Sequence, residues 1–256
     1  DSSTSRGLGD VYKRQVIGRM GAEAGTVIER VAAERAASVR RLGADFEVEG
    51  TSDRFTYRGW GRMFEGLRCG LAGRHQLDNA ACAIALLEAA GQGGIPVDEA
   101  AVRIGLCSVV WEGRLEVIDD APRVLLDGAH NPAASRALAQ YLGEFLASHQ
   151  NGRIILVWGM MRDKDHREFI APLLPLVSEI VLTQAGLVRS ATPSELREVL
   201  TEWPKPVHEV PLPAEALQKA KLQASSGDLI CVAGSLMLLG DIKAAVRGCG
   251  LSLIRG

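Results

Sequence analysis

The sequence predicts an α/β fold whose C-terminal part is a mostly parallel sheet with helices on both faces. From Gly113 onward, four short apolar runs read as buried strands, and helical stretches separate them. The runs are Val124–Leu126, Ile154–Val157, Ile180–Leu182 and Leu229–Val232. Strands that are apolar throughout and alternate with helices are typical of parallel sheets covered on both sides.

Five helical segments are expected around these strands. Their ranges are 132–147, 166–176, 193–203, 214–224 and 236–247. Asn131 is suited to cap the first of them, with Pro132 at its first helical position. The backbone N–H groups of that helix would then face whatever approaches the end of the preceding strand.

The pattern of apolar residues before Gly113 differs from the alternation of strands and helices after it, and this difference predicts a separate domain. Apolar residues at three- and four-residue steps indicate an amphipathic helix near its beginning, and short alternating runs indicate strands. The expected elements are helices over 22–42 and 76–90, a helix from Val97, and strands at 46–48 and 55–57. We place the two domains at residues 16–111 and 112–256.

Residues 1–15 are left out of this fold prediction. The hexapeptide from Asp10 to Gln15 back-translates as GAT GTG TAT AAG AGA CAG, which resembles the transposase end sequence used to prepare sequencing libraries. We interpret residues 1–15 as a sequencing-adapter artefact and expect a truncated chain whose gene starts further upstream. A flexible native N-terminus is the alternative interpretation.

Composition excludes several classes of protein. The chain has 256 residues with 29 basic and 31 acidic side chains, so it lacks the positive charge of a dedicated nucleic-acid binder. No apolar run approaches the roughly 20 residues that span a bilayer, which argues against a membrane protein. Five scattered cysteines without a CxxC pair favour a reducing cytoplasm. The five histidines form no HxxxH or HxH pair, which argues against a zinc hydrolase.

Polar, glycine-containing loops follow three of the four predicted strands. They are Asp127–Pro132, Gly159–Asp165 and Gly234–Ser235. Because ligands bind beyond the carboxyl ends of parallel strands, three such loops at one edge predict a binding site. For single residues a structural role stays open: Asp127 can cap a turn, and His130 can make a local hydrogen bond.

Five segments in order carry a resemblance to a known family. They read GRHQLDNAA from Gly73, WEGRLE from Trp111, LDGAHNP from Leu126, GM with DKD from Gly159, and AGSL from Ala233. Together they resemble folylpolyglutamate synthase/dihydrofolate synthase, of the Mur-ligase superfamily, over residues 16 to 250. The resemblance implies a Rossmann-like C-terminal domain preceded by the truncated tail of a central ATPase domain.

The resemblance also implies a reaction, which is ATP-dependent addition of L-glutamate to a folate or dihydropteroate carboxylate. In the family, the carboxylate attacks the γ-phosphate of ATP to give an acyl phosphate, and the glutamate amine then displaces phosphate. Residues carried over as ATP-binding are Asn79, Arg114, Asp127 and His130. Catalytic candidates are His130 and Lys164, and substrate-orienting candidates are Asp163, Lys164, Asp165 and Ser235. Asn79 as an ordinary helix residue and Arg114 as a surface salt-bridge partner remain the structural alternatives.

The sequence departs from the family in one large respect. A phosphate-binding loop requires Gly-Lys-[Ser/Thr], and none of the six lysines follows a glycine. We therefore expect this chain alone not to turn over ATP, and we expect the Mg2+ ligands of the family in a part upstream. The resemblance further implies small-molecule substrates, a monomer at full length and a cytoplasmic location.

Three other functions compete with this one. A peptidoglycan Mur ligase would share the fold and the use of ATP, but the DGAHNP and DKD loops count against it. A free-standing α/β domain that binds a nucleotide or a partner without catalysis remains open. A nicotinamide-dependent oxidoreductase would need GxGxxG, which the chain does not contain. The sequence leaves open whether the first glutamate is added, polyglutamate tails are extended, or both.

Overall fold

A computed structural model describes residues 14–248 of the chain. The predicted artefact therefore lies outside the described residues, except for Arg14 and Gln15, which belong to the first strand. The chain divides into two compact units, one reaching Val110 and one beginning at Trp111, and each is described by itself.

The first unit combines a small parallel pair of strands with an antiparallel sheet and three helices. The pair is β1 (Arg14–Ile17) and β2 (Ser38–Arg41), and the three-stranded antiparallel sheet is β3 (Glu47–Thr51), β4 (Arg54–Arg58) and β5 (Met63–Leu67). The helices are α1 (Ala22–Glu34), α2 (Arg74–Gln92) and α3 (Glu99–Ser108). Buried side chains of the sheet and of α2 and α3, among them Phe55, Tyr57, Leu77 and Val102, form one core.

The helix expected over 22–42 is wrong beyond Glu34. Ala36 has a φ of 50°, which ends the helix, and the following residues Ser38–Arg41 pair in parallel with β1. This pairing includes Arg14 and Gln15, which were interpreted as part of the artefact. Neither β1 nor its partner β2 was therefore predicted. Strand β5 was also missed, whereas the helix predicted from Val97 is confirmed as α3, with Asp98 accepting a hydrogen bond from Ala101 N at 2.6 Å.

The second unit is built on a six-stranded sheet in the order β10-β9-β8-β11-β7-β6. Its strands are β6 (Glu116–Asp120), β7 (Arg123–Leu126), β8 (Ile154–Trp158), β9 (Glu179–Leu182), β10 (Val207–Glu209) and β11 (Leu229–Ala233). All neighbouring strands are parallel except β6, which runs antiparallel to β7. The helices are α4 (Pro132–Ser148), α5 (His166–Ile170), α6 (Pro193–Arg197), α7 (Pro213–Gln223) and α8 (Leu236–Val246).

Helices cover both faces of this sheet, as predicted. Val157 faces a core that includes Leu217 of α7 and Leu238 of α8. The next residue, Trp158, points to the other face because side chains alternate along a strand. There its ring stacks on Phe169 of α5 at 6.1 Å between centroids. The mostly parallel α/β architecture is therefore confirmed.

The four predicted strands and five predicted helical regions of this unit are confirmed, but two of the helices are shorter than predicted. Helix α5 ends at Ile170 rather than 176, and α6 ends at Arg197, where a 3₁₀ turn (Glu198–Leu200) follows. The edge strands β6 and β10 were missed, because their residues are largely exposed or half-buried and form no apolar run. Within residues 14–248, no helix is both long enough and apolar enough to cross a membrane.

Candidate functional site

The three polar loops meet at one edge of the sheet. Strands β8, β11 and β7 are neighbours and parallel, so their carboxyl ends lie side by side. Gly234 N donates a hydrogen bond to Ala129 O at 2.9 Å, and Gly159 N donates to Ala233 O at 3.4 Å. These two hydrogen bonds connect the loops directly. The prediction that the three loops lie at one edge of the sheet is therefore confirmed.

Gly234 is a position where only glycine fits. Its φ is 112°, in the region that side chains rarely adopt. A Cβ atom there would lie 2.6 Å from Gly159 O and 2.8 Å from Cδ1 of Trp158. The close approach of the loops after β8 and β11 therefore depends on the missing side chain.

Asp127 is buried, and its carboxylate binds backbone N–H groups. Oδ2 accepts a hydrogen bond from Leu115 N at 3.0 Å, and Oδ1 accepts one from Ala129 N at 2.9 Å. Gly128 N donates to Gly113 O at 2.7 Å alongside them. Asp127 thus attaches the turn around Arg114 to the end of β7, which fits the structural role left open for it. Contact with ATP remains a proposal for this residue.

His130 makes the local hydrogen bond that was its structural alternative. Nδ1 lies 2.8 Å from Gly128 O, and because a carbonyl only accepts, Nδ1 carries the hydrogen. In the neutral ring Nε2 is then the acceptor, and the half-buried ring keeps it available at the mouth of the loop. The predicted cap is confirmed, since Asn131 Oδ1 accepts from Ala134 N at 2.9 Å.

Arg114 projects from a tightly held turn. Its guanidinium carbon lies 5.8 Å from the centroid of the Trp111 ring. Within residues 14–248 it forms no ion pair, so the surface salt bridge considered as the alternative is not formed there. The carboxylates on either side, Glu112 and Glu116, bind Lys243 of α8 instead, at 2.7 and 2.8 Å. Lys243 was missed because nothing in a helix sequence shows which distant carboxylates it meets.

In the charged loop after β8, the three residues of the DKD segment bind partners that are close to them in the chain. Lys164 Nζ lies 3.1 Å from Asp163 Oδ2, and this contact lowers the pKa of the Asp163 carboxyl. Asp165 caps α5 by accepting from Glu168 N at 2.8 Å. Lys164 is exposed, so its charge can also turn towards a ligand.

Ser235 and Trp158 complete this edge. Ser235 is buried and caps α8, with Oγ accepting a hydrogen bond from Met237 N at 3.1 Å. Beside it, the indole Nε1 of fully buried Trp158 has no hydrogen-bond partner in the described part of the chain. A buried donor without a partner is costly, so an acceptor such as a water or a ligand oxygen suits this position. Sequence reasoning missed it because a tryptophan in an apolar strand reads as core.

Asn79 lies in the first unit, within α2. Its Nδ2 donates a hydrogen bond to Gln76 Oε1 at 3.0 Å, and the residue is exposed. This environment also suits an ordinary helix residue, so its assignment to ATP remains a proposal. Across residues 14–248, no group of three or more His, Cys, Asp and Glu side chains could hold a metal ion.

Comparison with known proteins connects this arrangement to one family. Residues 113–236 match the family described as Mur ligase, glutamate ligase domain. The chain is 31% identical over 222 residues to the dihydrofolate synthase/folylpolyglutamate synthase of Escherichia coli (strain K12), which covers 86% of this chain and 49% of that protein. The chain spans about half, or less, of the length of the curated relatives it matches first.

Solved structures resemble this chain over most of its length. The E. coli FolC structure in complex with DHPP and ADP aligns with a TM-score of 0.78 and 29% identity, covering 87% of this chain and 51% of that one. The bifunctional folylpolyglutamate synthase/dihydrofolate synthase from Yersinia pestis, complexed with AMPPNP and Mn ion, aligns with a TM-score of 0.80 and 26% identity. It covers 96% of this chain and 57% of that one.

Proposed function

Because this chain belongs to the folylpolyglutamate synthase/dihydrofolate synthase family of Mur ligases, we propose that it is part of an ATP-dependent ligase that joins L-glutamate to a folate or dihydropteroate carboxylate. The observation that carries the proposal is the meeting of the DGAHNP, DKD and AGS loops at the carboxyl ends of β7, β8 and β11. The Arg114 turn is attached to the same edge through Asp127.

The reaction has two steps. A carboxylate oxygen attacks the γ-phosphorus of ATP, the bond to the β-phosphate oxygen breaks, and ADP leaves. The glutamate nitrogen then attacks the acyl carbon, the bond to phosphate breaks, and the nitrogen loses its proton. Catalysis of such steps consists mainly of holding the reactants in line and neutralising phosphate charge.

Arg114 is proposed to bind phosphate oxygens of ATP. A guanidinium is charged at every relevant pH and presents two parallel N–H groups to a phosphate. Since Arg114 pairs with no carboxylate in the described part of the chain, its charge is available for a ligand. Asp127 is proposed to act beside it at the nucleotide, and Asn79 is proposed to contact the adenine.

The remaining roles concern the second substrate. His130, with Nε2 as acceptor, is proposed to line the ATP site and to take the proton that glutamate nitrogen loses. Lys164 is the second catalytic candidate, through its charge. Together with Asp163, Asp165 and Ser235, it is proposed to orient the glutamate or the folate carboxylate.

We propose ATP as the nucleotide and Mg2+ as its metal. The unpaired Arg114 charge and the free indole N–H of Trp158 fit an anionic ligand rich in oxygen acceptors. For Mg2+ the described residues offer no ligand cluster, so none of them is assigned to it and no step is derived through it.

A chimeric enzyme tests the proposed function. Residues 14–248 would replace the matching half of the E. coli relative, and ADP release would be measured with ATP, glutamate and dihydropteroate. We expect release that needs both substrates and falls at least 10-fold in the Arg114→Gln chimera, since a charged hydrogen bond to phosphate is lost. A chimera that binds ADP but uses only a sugar-linked peptide substrate would assign the chain to the peptidoglycan ligases instead. One that binds ADP and joins nothing would support the non-catalytic domain.

A further inference from the structure

We propose that Lys243 is a positioning residue for Arg114, because it fixes the turn Trp111–Glu116 against α8 and keeps the neighbouring carboxylates away from the guanidinium. The inference rests on the proposed function, in which Arg114 binds phosphate. Lys243 itself contacts no substrate in this proposal, so it is not a catalytic residue.

One largely buried cation contacts both sides of the Arg114 turn. Lys243 Nζ lies 2.7 Å from Glu112 Oε2, and 2.8 and 3.0 Å from the two carboxylate oxygens of Glu116. The Lys243 side chain is only 12% exposed and that of Glu116 24%, so this pair is shielded from solvent more than a surface pair is, whereas Glu112 is largely exposed. Burial lowers its pKa, but the hydrogen bonds to both glutamates outweigh this and raise it, so Lys243 stays charged.

The backbone of the turn needs such support. Leu115 has a φ of 47° and Gly113 a φ of 72°, and a leucine adopts a positive φ only where its surroundings enforce it. Glu116 Oε2 accepts a hydrogen bond from Gly113 N at 2.6 Å, while Asp127 holds Leu115 N from the other side. Lys243 anchors Glu116, and Glu116 anchors the turn.

Lys243 also determines which groups the guanidinium of Arg114 is able to bind. Glu112 and Glu116 are two residues before and two residues after Arg114, within reach of its long side chain. Since Lys243 binds both, and Arg247 supplies a second positive charge to Glu112 at 3.3 Å, Arg114 is left over the Trp111 ring. Without Lys243, the nearest carboxylates would compete with phosphate for Arg114.

Trp111 offers a readout that needs no ligand. Its side chain is 62% exposed, and iodide quenching of its fluorescence rises when a positive charge stands beside the ring. The signal of Trp111 is taken as the difference between each protein and its Trp111→Phe counterpart. At about 6 Å and moderate salt, one charge changes the local iodide concentration by about 1.5- to 2-fold.

The variants are Lys243→Met, Lys243→Arg, Arg114→Gln and the double variant Lys243→Met/Arg114→Gln. The matched control is Lys221→Met, which removes another partly buried lysine, paired with Asp119 at 2.6 Å. We expect iodide quenching of Trp111 to fall about 1.5- to 2-fold in Lys243→Met and Arg114→Gln, to stay at the wild-type level in Lys221→Met, and to return in Lys243→Arg. In the Arg114→Gln background, removing Lys243 should lower the quenching by a smaller factor than it does when Arg114 is present, because only the direct effect of the two unpaired glutamates remains. Acrylamide quenching corrects for altered exposure of the ring.

Unchanged quenching in Lys243→Met would overturn the inference, and so would an equal fall with and without Arg114. If Lys243→Met does not fold, Lys243→Gln keeps an N–H donor in the same place without the charge and carries the same expectations. A titration with ADP separates the two proposals. Where the chimera with the E. coli half binds ADP equally well with and without Arg114→Gln but the quenching pattern holds, the assignment of Arg114 to phosphate fails while the positioning by Lys243 stands. Where ADP binds and weakens about 10-fold in Lys243→Met but not in Lys221→Met, both are supported.

Discussion

Replacing Gly234 with alanine should destabilise the second unit strongly. A Cβ atom would lie 2.6 Å from Gly159 O and 2.8 Å from Trp158 Cδ1, and neither backbone nor a fully buried indole can move aside easily. The φ of 112° adds the strain of a conformation that only glycine adopts readily. Overpacking costs about 1–3 kcal/mol and left-handed backbone about 1–2 kcal/mol. We therefore expect a loss of about 2–5 kcal/mol in the free energy of unfolding.

Chemical denaturation followed by tryptophan fluorescence measures this loss. The control is Gly143→Ala in the middle of α4, where a Cβ would meet nothing within 4 Å and the φ is not positive. Alanine there should stabilise by about 0.5–1 kcal/mol, because glycine is a poor helix former. A Gly234→Ala protein within about 0.5 kcal/mol of wild type would refute the argument that the loops after β8 and β11 need glycine for their approach.

Three further predictions concern single side chains. The hydrogen bonds from Arg162 and from Thr192 lower the pKa of Glu195 to about 2, so this carboxylate stabilises the fold above its ordinary pKa of 4.5. That stabilisation should disappear as the pH falls from 4.5 towards 2, and Glu195→Gln should flatten the pH dependence of the melting temperature in this window. Asn131→Ala should cost about 1 kcal/mol of stability by removing the cap of α4, with Asn131→Ser nearly restoring it. Burial raises the pKa of the Cys231 thiol far above its ordinary value, so among the four cysteines that the structure describes, a thiol reagent followed by mass spectrometry should label exposed Cys107 first and leave Cys231 unmodified until unfolding.

The elements that could be predicted from the sequence are those whose own residues reveal them, without knowledge of a distant partner. Val124–Leu126 and Leu229–Val232 are buried on both faces, so every residue is apolar and the strands are visible without a partner. The residues of edge strand β10 are half-buried or exposed and form no such run. Strand β2 exists because Ser38–Arg41 pair with Arg14–Ile17, and a pairing between distant segments leaves no mark in either of them. The same holds for Lys243, whose importance depends on two carboxylates more than 120 positions away in the chain.

The structure also divides the polar residues of the motifs by what their side chains are bound to. Asn131, Asp165 and Ser235 each accept a hydrogen bond from a backbone N–H at the start of a helix, and Asp127 does so at a turn. Their oxygens therefore shape the loops before any ligand arrives. Arg114, His130 and Lys164 keep a charge or a ring nitrogen that the backbone does not use.

This division separates two kinds of substitution. Replacing a capping residue should weaken ADP binding only to the extent that it lowers stability, because the loops lose their shape. Replacing Arg114 should weaken ADP binding with the free energy of unfolding nearly unchanged, since the guanidinium contacts little besides the Trp111 ring. Measuring the ADP affinity and the free energy of unfolding for Asn131→Ala and Arg114→Gln shows whether each residue shapes the loops or binds the ligand. An Arg114→Gln protein that lost stability and binding in the same proportion as Asn131→Ala would show that the arginine is part of the scaffold rather than of the phosphate site.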